Sequence, residues 1–249
     1  MDFFKYEKVK EFKYKIESED NFYRTGLITF FSPFYSTYLE NDTVYVDFIE
    51  PKKEKFNAII LLHSLYEREN RQTKSFGILL SKEGFGVYLI HLPYHMKRTP
   101  KRYKSGQLFL TGNVERSINA YRQAVIDIMA LCDYLSERKE VKNIGIVGIS
   151  LGAIILNTVM GVENRIKAGV SILGGGNIHY IFMRSLITMP WVIYGFFHGL
   201  RIRDYRKVSK DYVKFLEKVR EKGLENVECK WKWFLIDPLT YAHLNQPRK

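Results

Sequence analysis

The strongest constraint on the fold is an alternation of short apolar runs and helical segments between residues 57 and 176. Four such runs, rich in Val, Ile and Leu, lie at 57–63, 87–91, 143–148 and 168–173. Short, nearly continuous apolar runs are typical of strands that are buried on both faces of a sheet. Because helical segments separate them, they predict a mostly parallel α/β sheet with helices on both faces.

The segments around these runs complete the predicted architecture. Helical spacing of apolar residues is visible over about 72–82 and 117–138, and a third helix begins at Leu151. Ahead of the parallel part, residues 12–17, 23–34 and 43–49 are rich in aromatic and β-branched residues, with turn residues at 41–42. These three segments predict antiparallel strands at the N-terminal edge of the sheet.

Length and composition fit one large domain of this kind. The 249 residues are 46% hydrophobic, which is enough for a packed core and excludes a disordered chain. No run of eighteen apolar residues and no secretory leader is visible. The two cysteines, Cys132 and Cys229, lack metal-ligand spacing. We therefore expect a soluble cytoplasmic protein with both thiols reduced.

The net charge of +12 raises the question of an anionic partner. The basic residues are mostly interspersed with acidic ones, and the densest clusters lie at 97–104 and 201–207. Solvated loops and helix faces explain such runs without any ligand. An anionic substrate or an acidic membrane surface is a better candidate partner than nucleic acid, which would be expected to contact one continuous basic patch.

Residues 148–152 have the pattern G-x-S-x-G, directly after a predicted buried strand and directly before a predicted helix. This is the context of a nucleophile elbow, a turn so tight that glycine is needed on both sides of the nucleophile. It would raise the Ser150 hydroxyl above the carboxyl edge of the sheet. The Leu151 N–H, at the start of the helix, would then be an oxyanion donor. An ordinary strand-to-helix turn is the alternative.

Together these segments resemble the α/β-hydrolase fold superfamily over about residues 23–176. Residues 59–65 are similar to its third strand and oxyanion loop, which implies that the N–H of Ser64 or Leu65 is the second oxyanion donor. Residues 84–95 resemble the fourth strand and the loop beyond it. The pattern is more similar to the dienelactone-hydrolase-like and lipase-like esterase branches than to proteases.

Three histidines lie in this part of the chain, namely His63, His91 and His95. The resemblance implies that each organises a loop through hydrogen bonds. In the superfamily the catalytic residues occur in the order Ser, acid and His, with the acid and histidine beyond the elbow. These three histidines precede Ser150, so they are poor candidates for the catalytic base.

The sequence departs from the superfamily pattern after Gly176. Residues 178–200 are strongly apolar and aromatic, and residues 204–222 form a charged amphipathic segment. We divide the chain into a hydrolase core at 1–176, an inserted helical cap at 177–236 and a return helix at 237–249. Ordinary core helices are the alternative to a cap, and attachment to a membrane surface is a further alternative for residues 191–200.

The last segment leaves the catalytic acid and base open. Asp237 and Pro238 have the pattern of a helix start. No pattern of a seventh or eighth strand follows them, so we expect the fold to be C-terminally incomplete. Asp237 as the acid and His243 as the base have the right order, but their spacing of six positions is shorter than a strand, helix and strand require. His179 and His198 are further candidates for the base.

An incomplete sheet would keep an open edge, which proteins usually cover. A homodimer or a separately encoded second polypeptide would cover it, and a truncated or frameshifted gene would explain it. The expected function is hydrolysis of a carboxylic ester with an apolar acyl group, through an acyl-enzyme on Ser150 and without metal or organic cofactor. The alternatives are a non-catalytic hydrolase-fold protein that binds a ligand or partner and a basic nucleic-acid binder.

Overall fold

The computed structural model describes residues 3–69, 71–185 and 202–245. In this part of the chain seven strands form one sheet in the order β1-β2-β3-β5-β4-β6-β7. The contacts between β1, β2, β3 and β5 are antiparallel, and those between β5, β4, β6 and β7 are parallel. The strands are β1 (Lys13–Glu19), β2 (Tyr23–Phe31), β3 (Thr43–Pro51), β4 (Phe56–Leu62), β5 (Gly86–Ile90), β6 (Val141–Ile149) and β7 (Ile166–Ile172).

The predicted parallel sheet with antiparallel N-terminal strands is therefore confirmed. The helices of the described residues are α1 (Leu39–Asp42), α2 (Arg71–Lys82), α3 (Val114–Glu137), α4 (Leu151–Val162), α5 (Ile178–Arg184), α6 (Ile202–Lys222) and α7 (Pro238–Tyr241).

One short element differs from the sequence prediction. Where we expected a simple turn, Asn41 and Asp42 end the four-residue helix α1, and both side chains are buried. The Asn41 side chain donates a hydrogen bond to Gln123 of α3 at 2.7 Å, and Asp42 accepts one from the Ser36 N–H at 2.8 Å. These tertiary contacts hold the segment as one helical turn between β2 and β3.

The two faces of the sheet are packed differently. The main core lies on the side of α3 and α4, where Ile60, Ile126 and Ile155 are fully buried. The opposite face packs against α2 through a smaller cluster that includes Leu61 and Leu89. The two clusters occupy alternating positions of β4, as expected for a strand buried on both faces.

A buried ion pair fixes the loop that follows β5. The Arg98 guanidinium contacts Asp127 of α3 at 2.8 Å, and neither side chain is exposed. The same guanidinium also donates to the His91 carbonyl at 3.0 Å and to the Asn41 carbonyl at 2.8 Å. Removing one member of such a pair leaves an uncompensated buried charge, so this contact holds the 91–98 loop in a defined position at the carboxyl edge of the sheet.

The described part of residues 177–245 is helical. As the 3.6-residue spacing predicts, α6 buries Tyr212, Phe215 and Val219, which pack with Phe234. The return helix α7 lies against α4, with Tyr241 close to Gly161. Among the described residues no strand follows β7, so β7 is the edge of the sheet.

Three remaining predictions concern single segments or side chains. The proposed membrane-surface segment, residues 191–200, lies outside the described residues. None of the helices that the structure describes is long and apolar enough to cross a membrane. Cys132 and Cys229 are both free thiols, so they do not form the disulfide that two cysteines would allow.

Candidate functional site

Ser150 lies at the junction of β6 and α4, in a conformation that side-chain-bearing residues rarely adopt. Its backbone has φ 54° and ψ −110°, and a positive φ costs a non-glycine residue about 1–3 kcal/mol. The Ser150 N–H donates to the Ile172 carbonyl of β7 at 2.8 Å, and its own carbonyl accepts from Ile154 in α4 at 3.1 Å. The residue is therefore held from both neighbouring elements in the strained turn that the G-x-S-x-G pattern predicts.

The two glycines of the pattern are needed for close backbone approach. A Cβ at Gly148 would lie 2.4 Å from the Gly152 carbonyl oxygen, and a Cβ at Gly152 would lie 2.6 Å from the Leu62 carbonyl oxygen. Both distances are far below van der Waals contact. Glycine at these positions therefore lets α4 begin directly against the ends of β4 and β6.

The loop after β4 is attached to the start of α4. The Gly152 N–H donates to the His63 carbonyl at 3.2 Å. Leu151, the first residue of α4, immediately precedes Gly152, and Ser64 immediately follows His63. The structure therefore holds the start of α4 against the beginning of the loop after β4, and the oxyanion role of the Leu151 and Ser64 N–H groups stays a prediction. The N-terminal end of α4 also contributes its positive partial charge there.

His63 and His95 hold this loop through both of their ring nitrogens. His63 Nδ1 donates to the Ser64 carbonyl at 2.8 Å, while its Nε2 accepts from the Leu92 N–H at 3.0 Å. His95 Nδ1 donates to the Pro93 carbonyl at 2.8 Å, and its Nε2 faces the Tyr66 N–H at 3.4 Å. Each ring needs its neutral form for this pattern.

The surroundings of the same two rings favour that neutral form. Burial, aided by the neighbouring His95, lowers the pKa of His63 well below its ordinary value. Burial also lowers the pKa of His95 to about 4, against the hydrogen bond to Pro93. Both histidines are loop organisers, as expected, and neither has a nitrogen free to accept a proton from Ser150.

His91 belongs to a different group of residues. Its Nε2 lies 3.0 Å from the Asp47 carboxylate of β3. Burial lowers the pKa of His91 despite this carboxylate. The His91 imidazole, which follows β5, is therefore bonded to a side chain of β3. Both of these strands lie on the opposite side of β4 from β6, which leads to Ser150.

Asp237, the predicted acid, is bound to the starts of two helices. Its carboxylate accepts hydrogen bonds from the N–H groups of Asn177 and Ile178 at the start of α5, and from the Leu239 N–H in α7. The predicted N-cap role of Asp237 is thus present. Burial raises the pKa of Asp237, although these three donors oppose that rise. No hydrogen bond joins it to a histidine among the described residues.

His243, the predicted base, is exposed on the turn after α7. Tyr241, two residues earlier, contacts Gly161 near the C-terminal end of α4. Ser150 precedes the other end of that helix, and ten residues of helix span about 15 Å. His179 packs against Trp233 at 5.0 Å between ring centroids, and His198 lies outside the described residues. Among the described residues, the Ser150 hydroxyl has no hydrogen-bond partner.

Two further residues at this edge were not predicted from the sequence. Tyr66, in the loop after β4, has φ 65°, and Leu173, directly after β7, has φ 56°. Leu173 is 86% exposed, and it follows Ile172, whose carbonyl is bonded to Ser150. Neither residue type favours positive φ, so no sequence signal points to these positions. Within the described residues, no group of three His, Cys, Asp or Glu side chains could hold a metal ion.

Comparisons with known proteins identify the fold. No family model and no curated protein sequence matches the chain. Its structure is similar to acetyl xylan esterase 1 from Thermoanaerobacterium sp. JW/SL YS485, with a TM-score of 0.53, 15% identity, and coverage of 94% of this chain and 68% of that one. An acetyl xylan esterase from Paenibacillus sp. R4 gives a TM-score of 0.58, 12% identity, and coverage of 95% and 68%.

A hypothetical protein from Pseudomonas aeruginosa is also similar, with a TM-score of 0.53, 13% identity, and coverage of 90% and 67%. The chain thus spans about two thirds of the length of these neighbours. At such identities the likeness establishes the fold alone. The chain has the α/β-hydrolase fold, and esterases are among its structural neighbours.

Proposed function

We propose that this protein is a serine hydrolase that cleaves carboxylic esters through an acyl-enzyme on Ser150. The observation that carries the proposal is the backbone of Ser150, whose φ of 54° and ψ of −110° raise the side chain at the start of α4. Such strain persists only where the surroundings impose it, and it is typical of active sites. The esterases among the structural neighbours support the same reaction class.

The proposed reaction has two steps. Ser150 Oγ attacks the ester carbonyl carbon while its proton passes to a base, and the carbonyl oxygen becomes an oxyanion. The N–H groups of Leu151 and Ser64 stabilise that oxyanion. The C–O bond to the alcohol then breaks, and the alcohol leaves with the proton from the base. In the second step water attacks the acyl-enzyme by the same route and releases the acid and free Ser150.

The proposed base is one of the histidines that follow the elbow. His63 and His95 use both ring nitrogens to hold loops, which excludes them as bases. Chain order favours His243, with Asp237 as its acid, but Asp237 already accepts three backbone N–H groups. His179 and His198 are the alternatives to His243, and single His→Gln variants would separate the three.

A groove between α5, α6 and α7 is the proposed acyl pocket. It encloses about 450 Å³ and is lined mainly by apolar atoms, including those of Tyr180, Val213, Leu216 and Leu239. The loop that leads into α5 approaches Ala153 in the first turn of α4, at Gly174. Asn177, which follows this loop in the chain, is one of the residues that line the groove. An apolar acyl group fits this lining better than a peptide would.

A non-catalytic protein with the same fold is the second candidate. It is favoured by the Asp237 carboxylate, which serves as a helix cap, and by the absence of a described histidine bonded to the Ser150 hydroxyl. In this reading the elbow is retained while the chain binds a ligand or a partner polypeptide. Removing one member of a catalytic triad typically leaves only a small residual rate.

Labelling with a fluorophosphonate probe distinguishes the two candidates. We expect one adduct by intact mass on the native protein and none on Ser150→Ala. Ser136→Ala is the matched control, because Ser136 is an exposed serine on α3 whose hydroxyl donates to the Asp133 carbonyl. Labelling of both variants, or no labelling of a folded native sample, would refute the catalytic role of Ser150.

A further inference from the structure

A second cleft lies at the carboxyl edge of the sheet, on the far side of the oxyanion loop from Ser150. It encloses about 730 Å³. Its walls are the loop after β4, the start of α2, the loop after β5, and the outer strands β1 and β3. The proposed reaction at Ser150 uses none of the side chains that line it.

Four cationic side chains line this cleft, namely Arg68, Lys74, Lys97 and Lys104. None of them forms an ion pair within 4.0 Å with another residue that the structure describes. Lys97 instead lies over the ring of Tyr45, 5.6 Å from its centroid. Charges of one sign around a concave surface reinforce one another, because the surrounding protein has a low dielectric constant.

Three carboxylates share the cleft, but they are not spread evenly. Glu17 and Asp47 lie at the inner end, where a narrower extension runs between β1, β3 and α2. The third carboxylate, Glu69, lies on the loop after β4, next to Arg68 in the chain. The lining therefore has four cationic groups against three carboxylates, an excess of one positive charge.

The floor of the cleft is a fixed polar pair. His91, which is 2% exposed, contacts the Asp47 carboxylate at 3.0 Å. Burial alone would raise the pKa of Asp47, but the hydrogen bond with His91 and the charges of Lys97 and Lys74 together lower it. The charges of both lysines thus act on the carboxylate at the floor of the cleft.

The loop after β5, which lines the cleft, begins two strands away from the elbow. Ile90 at the end of β5 pairs with Leu62 of β4, which pairs with Gly148 of β6. Two strand spacings separate the first and last of these residues, or about 10 Å. The oxyanion loop connects the two sites, with Ser64 on one side and Arg68 on the other.

We propose that this cleft binds a phosphate or carboxylate group and that Arg68, Lys97 and Lys104 hold this anion. Lysine binds such groups as a point charge, and arginine can donate two parallel hydrogen bonds. The anion belongs either to a separate ligand or to the far end of the ester itself. In both cases the chemistry at the cleft is the same.

Equilibrium dialysis with radiolabelled inorganic phosphate at low ionic strength tests the proposal. We expect saturable binding of one phosphate per chain, at least tenfold weaker in the double variant Lys97→Gln/Lys104→Gln. The matched control is Lys142→Gln/Lys167→Gln, which removes the same charge from exposed positions on β6 and β7. The control should bind as tightly as the native chain. The readout does not require Ser150 to react, so it is independent of the fluorophosphonate experiment.

Three results would be informative. Equal weakening in both double variants, or no saturable binding, would show non-specific attraction to a basic protein and overturn the proposal. Monomethyl suberate carries an ester at one end and a carboxylate at the other. If it displaces phosphate from the Ser150→Ala protein at least tenfold better than acetate does, the anion site serves the ester itself. Equal displacement by the two supports a separate anionic ligand.

Discussion

Replacing Gly152 by alanine should loosen the junction between α4 and β4. The added Cβ would lie 2.6 Å from the Leu62 carbonyl oxygen and 2.7 Å from the Leu62 Cβ. Reaching a tolerable 3.4 Å requires the helix and strand to separate by about 0.8 Å. Overpacking of this kind costs about 1–3 kcal/mol, offset by about 0.5 kcal/mol from the lower entropy of the unfolded chain. We expect a net loss of about 1.5 kcal/mol.

Gly145→Ala is the matched control for this variant. Gly145 lies on β6, three residues before the elbow, and a Cβ there would meet its nearest atoms at 3.6 and 3.8 Å, which is ordinary contact. Urea denaturation followed by circular dichroism should therefore show a lower free energy of unfolding for Gly152→Ala and little change for Gly145→Ala. A loss below 0.5 kcal/mol for Gly152→Ala, or an equal loss for both, would refute the close-approach argument.

Three further changes test other parts of the structure. Since the folded pKa of His95, about 4, lies below its unfolded value of 6.5, the unfolded chain takes up this proton first. Stability measured by urea titration should thus fall by about 3 kcal/mol as the pH drops from 6.5 to 4, and His95→Gln should reduce that slope. Arg98→Ala should cost about 3–5 kcal/mol, whereas Lys8→Ala, at an exposed ion pair, should change the stability little. Phe234→Ala should cost about 3–5 kcal/mol in thermal unfolding.

The fold was predictable because its signals are local and strong. A strand buried on both faces needs a continuous apolar run, and the runs at 57–63, 87–91 and 143–148 coincide with β4, β5 and β6 to within a few residues. The elbow was predictable for a similar reason. Only glycine permits the close approach of α4 to β4 and β6, so this backbone geometry requires the glycines that the sequence has at Gly148 and Gly152.

Other features depend on contacts that no local pattern encodes. The helical turn α1 is fixed by the hydrogen bond between Asn41 and Gln123, whose positions are 82 residues apart. Asp237 has the same sequence pattern whether it caps a helix or orients a histidine, and only its three N–H donors show the capping role. The cationic cleft combines side chains from two loops and a helix, so the basic cluster at 97–104 alone did not show that Arg68 and Lys74 line the same cleft.

Backbone strain is what distinguishes this sheet edge from an ordinary strand-to-helix junction. Tyr66, Ser150 and Leu173 all have positive φ, and they follow the ends of the neighbouring strands β4, β6 and β7. Each costs about 1–3 kcal/mol, which a turn built only for connection would avoid by using glycine or asparagine. At Ser150 the strain is maintained by bonds to Ile172 and Ile154. Strain that both neighbouring elements maintain at this serine supports the proposed reactive role of Ser150.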